Sequence, residues 1–203
     1  MNQVEAVQRL KRLGTQGFET RDAAAALDVT AANANMILRR LADAGLLVHV
    51  SRGRWLQSAD VPLFALPELI SAPSPAYISL QSALFHHGVV EQIPAVIYAV
   101  TLGRPRRVRT PLGVVSFHRL PPELFSGFEV EAAGGAKIAT AEKALFDLLY
   151  LAQGRSRIFA TLPELEIPRR FRWAQLTQYA DLIKSPSRRT YLTEAIARLR
   201  KRA

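Results

Sequence analysis

Cysteine is absent from this 203-residue chain. That excludes disulfides, thiolate metal sites and cysteine nucleophiles. Long apolar runs are also missing: no stretch of 18 apolar residues occurs, so no transmembrane helix is expected. The opening MNQVEAVQRLKRLG has the pattern of an amphipathic helix and lacks the apolar centre of a signal peptide. These features together point to a cytoplasmic protein with no membrane partner. Histidine is scarce, at four residues, and none has a partner at metal-ligand spacing such as HExxH. Gly134-Gly135 is followed by neither the lysine nor the hydroxyl residue of a phosphate-binding loop. Glu129 and Glu131 lie two apart, but Lys137 does not complete the carboxylate-x-lysine spacing of restriction-type nucleases. We therefore expect no catalytic residues, no metal, no cofactor and no enzymatic activity.

Acidic residues are outnumbered, 17 against 27 lysines and arginines, for a net charge of +10. Residues 1–61 hold 8 basic and 6 acidic side chains, a net of +2. Residues 167–203 hold 10 and 2, a net of +8. A basic surface attracts nucleic acid or an acidic protein over a range set by salt.

The most informative stretch is TRDAAAALDVTAANANMILRRLADAGLLVHVSRGRWL, residues 20–56. Thr20 suits an N-cap, and an alanine-rich helix follows to Leu27. Asp28-Val29 makes a turn and Thr30 caps a second helix. Ala34, Ile37, Leu41 and Ala44 of that helix are spaced to share one buried face. Gly45 ends it. Leu46–Val50 and Arg54–Leu56 predict a hairpin with Arg52 at its tip. Two short helices, a turn and a basic hairpin predict a winged helix-turn-helix that reads double-stranded DNA. Asn33 and Asn35 are candidates for adenine edges. Thr30, Arg39, Arg40, Arg52 and Arg54 are candidates for the DNA interface, the arginines as phosphate contacts. The same elements also occur in dimerisation and protein-docking modules.

A first helix over 2–13 is expected to complete this unit, with Val4, Val7, Leu10 and Leu13 inward. Four prolines in 58–76 predict a linker or irregular packing, at a boundary that divides the chain into domains 1–61 and 62–203. The second domain reads as mixed α/β with a small, mostly antiparallel sheet and basic C-terminal helices, giving an α+β chain overall. Its expected parts are a short helix from Ser79 to Gly88, a strand in IPAVIYAVTLG and a hairpin of Arg106–Arg109 with Val114–His118. A strand over Phe128–Ala132, a broadly apolar helix over Ala139–Gln153 and helices near 172–184 and 187–201 complete it. Glu142, Lys143 and Asp147 are the only charges on the apolar helix and read as a solvated stripe, with Lys143 and Asp147 spaced to pair. Arg106, Arg109, Arg198 and Arg202 are candidates for additional nucleic-acid or partner contacts, with Arg200 pointing away from Arg198 and Arg202.

YISLQSALFHHGVVEQIPAVIYAVT and KIATAEKALFDLLY carry a pattern at Tyr77, Ser79, Ala83, His87 and Gly88, and a second at Ala141–Leu145 and Asp147. By these patterns most of the chain resembles the AbiEi family of bacterial antitoxins and related transcriptional regulators. The resemblance implies a winged helix-turn-helix before an α/β antitoxin domain. It also implies a type IV toxin–antitoxin system, in which the antitoxin represses its own promoter and counters a nucleotidyltransferase-like toxin without a stable complex. The alternative is a stand-alone regulator whose second domain binds a ligand or a protein.

Overall fold

A computed structural model describes residues 2–131, 135–153 and 164–202. Its described residues form eight α-helices and nine strands in two sheets, an α+β architecture. None of these helices is long and apolar enough to cross a membrane.

The N-terminal unit runs α1 (Gln3–Lys11), β1 (Gly17–Glu19), α2 (Thr20–Leu27), α3 (Ala31–Asp43), β2 (Val48–Ser51) and β3 (Arg54–Leu56). Strand order is β1-β3-β2, both pairs antiparallel. The three-residue strand β1 is too short to show an alternating pattern and was not expected. It changes the capping of α2. Glu19, not Thr20, is the N-cap, and its backbone N–H donates to Asp22 Oδ2 at 2.8 Å. Thr20 Oγ1 instead accepts from Trp55 Nε1 at 2.9 Å, satisfying a buried indole.

Ala6, Leu10, Ala23, Leu27, Leu38, Leu41 and Trp55 form the core of this unit. The buried face of α3 is Ala34, Leu38 and Leu41, rotated from the expected Ala34, Ile37, Leu41 and Ala44; Ile37 is half-buried and Ala44 exposed. In α1 the buried pair is Ala6 and Leu10, and Val4 is exposed. Helix pairs bury a stripe that depends on how the axes cross. Residue spacing alone leaves that stripe free to rotate by one position.

Of the two readings of segment 58–76, packing holds and an open linker does not. It holds α4 (Leu66–Ser71), and its last residue begins β4 (Ala76–Ile78). Pro67 sits in the first turn of α4, where its missing N–H has no intrahelical partner to lose. Leu66 and Ile70 bury against Val50 and Leu56 on one side and Ala99, Val115 and Phe117 on the other. One apolar cluster therefore joins the two units.

The second sheet adds β5 (Ile97–Thr101), β6 (Arg106–Thr110), β7 (Gly113–Arg119), β8 (Phe128–Val130) and β9 (Lys137–Ala139). Its order is β6-β7-β5-β4-β9-β8. The pairs β4–β9 and β5–β7 are parallel and the other three antiparallel, so this six-stranded sheet is mixed and larger than expected. The β6–β7 hairpin is as expected, with Thr110 opposite Gly113. The expected strand over Phe128–Ala132 is present as β8; Ala132 and Gly134 lie outside the described residues.

Helices α5 (Leu80–His86), α6 (Ala141–Ala152), α7 (Trp173–Asp181) and α8 (Pro186–Arg200) contribute to the larger core. Thr140 caps α6, its Oγ1 accepting from Lys143 N. Every residue from Glu142 to Tyr150 is buried, so α6 is a central helix as its all-round apolarity predicts. The expected solvated stripe of Glu142, Lys143 and Asp147 is wrong for this reason: a helix covered on all sides has no wet face.

Candidate nucleic-acid interface

Helix α3 presents Ala32, Asn33, Met36, Arg39 and Arg40 to solvent, three or four residues apart along one side. Asn35 is half-buried beside them. Thr30 Oγ1 accepts from Asn33 N at 3.3 Å, so Thr30 holds the first turn. Met36 is 53% exposed, an apolar group between the asparagines and arginines that polarity-based reading passes over. Neither Arg39 nor Arg40 forms an ion pair with a described residue.

The β2–β3 hairpin places Arg52 at an exposed tip, where Gly53 takes φ +72°. Arg54 points the other way. Its Nη2 donates to Glu19 Oε1 at 2.8 Å, and the guanidinium also donates to the carbonyls of Leu69 and Ala72. Arg54 therefore clamps the N-terminal unit onto α4. The partner that holds Arg54 is Glu19 on the neighbouring strand β1, which a count of basic residues does not register.

Among the arginines of the second unit, Arg106 is also tied down. Its Nη2 donates to Ile70 O at 3.1 Å and its guanidinium lies 4.9 Å from the Phe117 ring centre. Arg109 is exposed and, three residues on, projects from the opposite face of β6. The two do not serve one ligand. Arg198 and Arg202 are exposed, whereas Arg200 and Lys201 line a groove between α7 and α8.

The groups expected to be solvated on α6 form a sealed polar cluster. Lys143 pairs with Asp147 Oδ1, and both side chains are 0% exposed. Lys143 Nζ also donates to Tyr77 Oη at 2.9 Å. Tyr77 Oη and Ser79 Oγ donate to Asp147 Oδ2 at 2.9 and 2.7 Å. The ammonium lies 5.4 to 5.6 Å from the ring centres of Tyr77, Phe146 and Tyr179. Burial lowers the Lys143 pKa against the opposing pull of Asp147. Burial raises that of Asp147 against Lys143, Ser79 and Tyr77. Burial, followed by the Asp147 charge, pushes the Tyr77 phenol well up. Every polar atom here has a partner, so the cluster ties β4, α6 and the residue before α5 together. Nearby, Glu142 Oε1 accepts from the backbone N–H and Nε of Arg172.

The two motifs that carry the family resemblance thus meet. Tyr77 and Ser79 come from one, Lys143 and Asp147 from the other. His87 Nε2 donates to Ala139 O at 2.7 Å and joins the end of α5 to β9. Glu129 and Glu131 are both exposed, and Lys137 pairs with Glu68, away from them. Compared with known protein families and with curated proteins, the chain matches none.

Proposed function

We propose that this chain is a DNA-binding antitoxin that represses its own operon and counters a nucleotidyltransferase-like toxin of a type IV system. The DNA-binding part rests on one observation. The exposed side of α3 and the adjoining hairpin tip carry Asn33, Arg39, Arg40 and Arg52, with no ion pair to another described residue to occupy the arginines. In this reading residues 1–61 are a winged helix-turn-helix, α3 enters the major groove and Arg52 tracks the backbone. Asn33 and Met36 meet base edges; a methionine suits a thymine methyl. With few base-reading groups per copy, several copies on repeated or inverted sites supply the specificity. Arg109, Arg198 and Arg202 are further candidate contacts on the second unit. Support for the antitoxin part is the meeting of the two resemblance motifs in one buried network. Residues far apart in sequence are then parts of one structural device, which is what a shared fold requires.

The test is fluorescence anisotropy with a duplex of the chain's own upstream region and a scrambled duplex, over a salt series. Arg39→Ala with Arg40→Ala weakens binding to both duplexes and lowers the salt slope by about two units, at about 0.9 per phosphate contact. Asn33→Ala narrows the ratio between the duplexes. Unchanged affinity and slope in the double variant and in Arg52→Ala overturns the placement.

The stand-alone regulator remains the second reading, and one observation favours it. A cavity of about 330 Å³ lies where β1 and β3 meet α4, lined by Phe18, Trp55, Leu56, Leu69 and Arg54 among others. Glu19, Asp22 and Glu68 also line it, so a small effector with an apolar body and a polar edge seated there would bear on the junction beside the DNA-reading unit.

A further inference from the structure

The C-terminal helices carry a surface that the DNA reading does not use. A groove of about 1050 Å³ lies along α7 and α8. Phe171 and Ile196, both buried, form an apolar floor, and half-buried Trp173 stands edge-on to Phe171 at 4.9 Å between ring centres. The rim is basic, with Arg172, Arg200 and Lys201. The Arg172 charge is answered by Glu142 behind it. Arg200 and Lys201 form no ion pair with a described residue, and no carboxylate is among the lining side chains.

We propose that this groove docks an acidic amphipathic helix of a partner protein. Its apolar side chains lie on the Phe171–Ile196 floor and its carboxylates face Arg200 and Lys201. Helices in grooves are held by apolar anchors, with charge setting partner choice and association rate. The apolar floor argues against nucleic acid as the occupant, since a phosphate backbone needs cations and gains nothing from a buried Ile196. Charge argues against a second copy. Each chain carries +10, and no described helix has an excess of more than one carboxylate. The strong positive bias of 167–203 fits an acidic partner, and placing Arg200 and Lys201 beside aromatic groups gives that charge a site. This inference stands apart from DNA binding by α3.

The probe is a fluorescein-labelled helical peptide with leucine and phenylalanine at i, i+3, i+4 and i+7 and glutamate elsewhere, titrated with the full chain. A matched peptide with lysine for glutamate, single-stranded DNA and phosphatidylglycerol vesicles complete the set. The glutamate peptide binds, the lysine peptide does not, and Arg200→Glu with Lys201→Glu weakens binding by about tenfold or more. Ala174→Glu, an exposed substitution in the groove, gives a comparable loss while duplex-DNA affinity stays unchanged. Failure of the glutamate peptide to bind overturns the proposal. So does equal binding to wild type and both variants, or preferential Arg200- and Lys201-dependent binding of DNA or vesicles. Duplex affinity of the wild type and the Ala174→Glu protein reports on DNA binding separately, so failure here leaves the DNA reading to its own test.

Discussion

Lys143→Met tests whether the buried cluster holds the second unit together. Lys143 and Asp147 are both fully buried, so removing the ammonium strands a carboxylate in the core. Ser79 and Tyr77 still donate to it, but the compensating charge and the contacts with three aromatic rings are gone. Breaking a buried pair in this way costs about 3–5 kcal/mol. That is a large part of a total stability of about 5–15 kcal/mol. At about 2–4 °C per kcal/mol for a chain of this size, the melting temperature falls by roughly 6–20 °C. Adding Asp147→Asn removes the stranded charge while its amide oxygen still accepts from a hydroxyl. The double variant is therefore more stable than Lys143→Met alone. Urea titrations followed by circular dichroism give the full double-mutant cycle. A loss below about 1 kcal/mol for Lys143→Met refutes the reasoning, as does a double variant that loses the sum of the two single effects.

Glu142 gives a pH-dependent effect. Burial alone would raise its pKa, but the backbone N–H and guanidinium of Arg172 hold it below the usual carboxylate value. The folded pKa lies below the unfolded one, so its stabilisation is complete above the unfolded pKa and disappears as pH falls through the folded pKa. The stability advantage of wild type over Glu142→Gln, measured by urea titration, shrinks on acidification below the ordinary value of 4.5; an advantage independent of pH there contradicts the assignment. His118 is held down to about 4 by burial, so it supports the fold above its ordinary 6.5 and withdraws that support as pH drops toward 4. The pH slope of stability in that window is smaller in His118→Gln, and an unchanged slope counts against it. Gly127→Ala is destabilising by about 1–3 kcal/mol, since φ is +76° and a Cβ there would meet Tyr179 Oη at 2.2 Å. A melting temperature equal to wild type shows that the loop yields. Finally, calorimetry of the whole chain gives one unfolding transition, because Val50 and Leu56 share a core with α4 and the sheet and Arg54 bridges to Leu69. Two resolved transitions show the units to be independent.

Several features are local and were legible in the chain itself. Thr30 caps α3 because a hydroxyl three residues before an orphan N–H is sufficient. Gly45 at φ +71° ends the same helix, and Thr110-Pro111-Leu112-Gly113 closes the β6–β7 hairpin. The broad apolarity of 141–152, with apolar side chains on more than one side of the helix, marks α6 as central even though Glu142, Lys143 and Asp147 interrupt it. The exposed asparagine and arginines of α3 were also legible, since polar and charged side chains of an amphipathic helix turn from its buried face even where the edge of that face shifts by one position.

What the tertiary structure decided depends on partners distant in sequence. The short strands β1, β4 and β9 exist through pairing with β3, β5 and β8, and three residues are too few to show a period. Segment 58–76 is ordered because Leu66 and Ile70 find an apolar surface on both sides, a gain that proline content does not reveal. Arg54 and Arg52 are chemically alike and two residues apart, yet Glu19, 35 positions from Arg54, claims only the former. Lys143 and Asp147 read as a wet stripe because charges on a helix usually are. They are buried because Tyr77 and Ser79, 66 to 70 residues earlier, supply hydrogen bonds that offset desolvation. Local propensity and spacing act within a few residues, whereas the placement of a charge in or out of water is settled by whatever the fold brings to meet it.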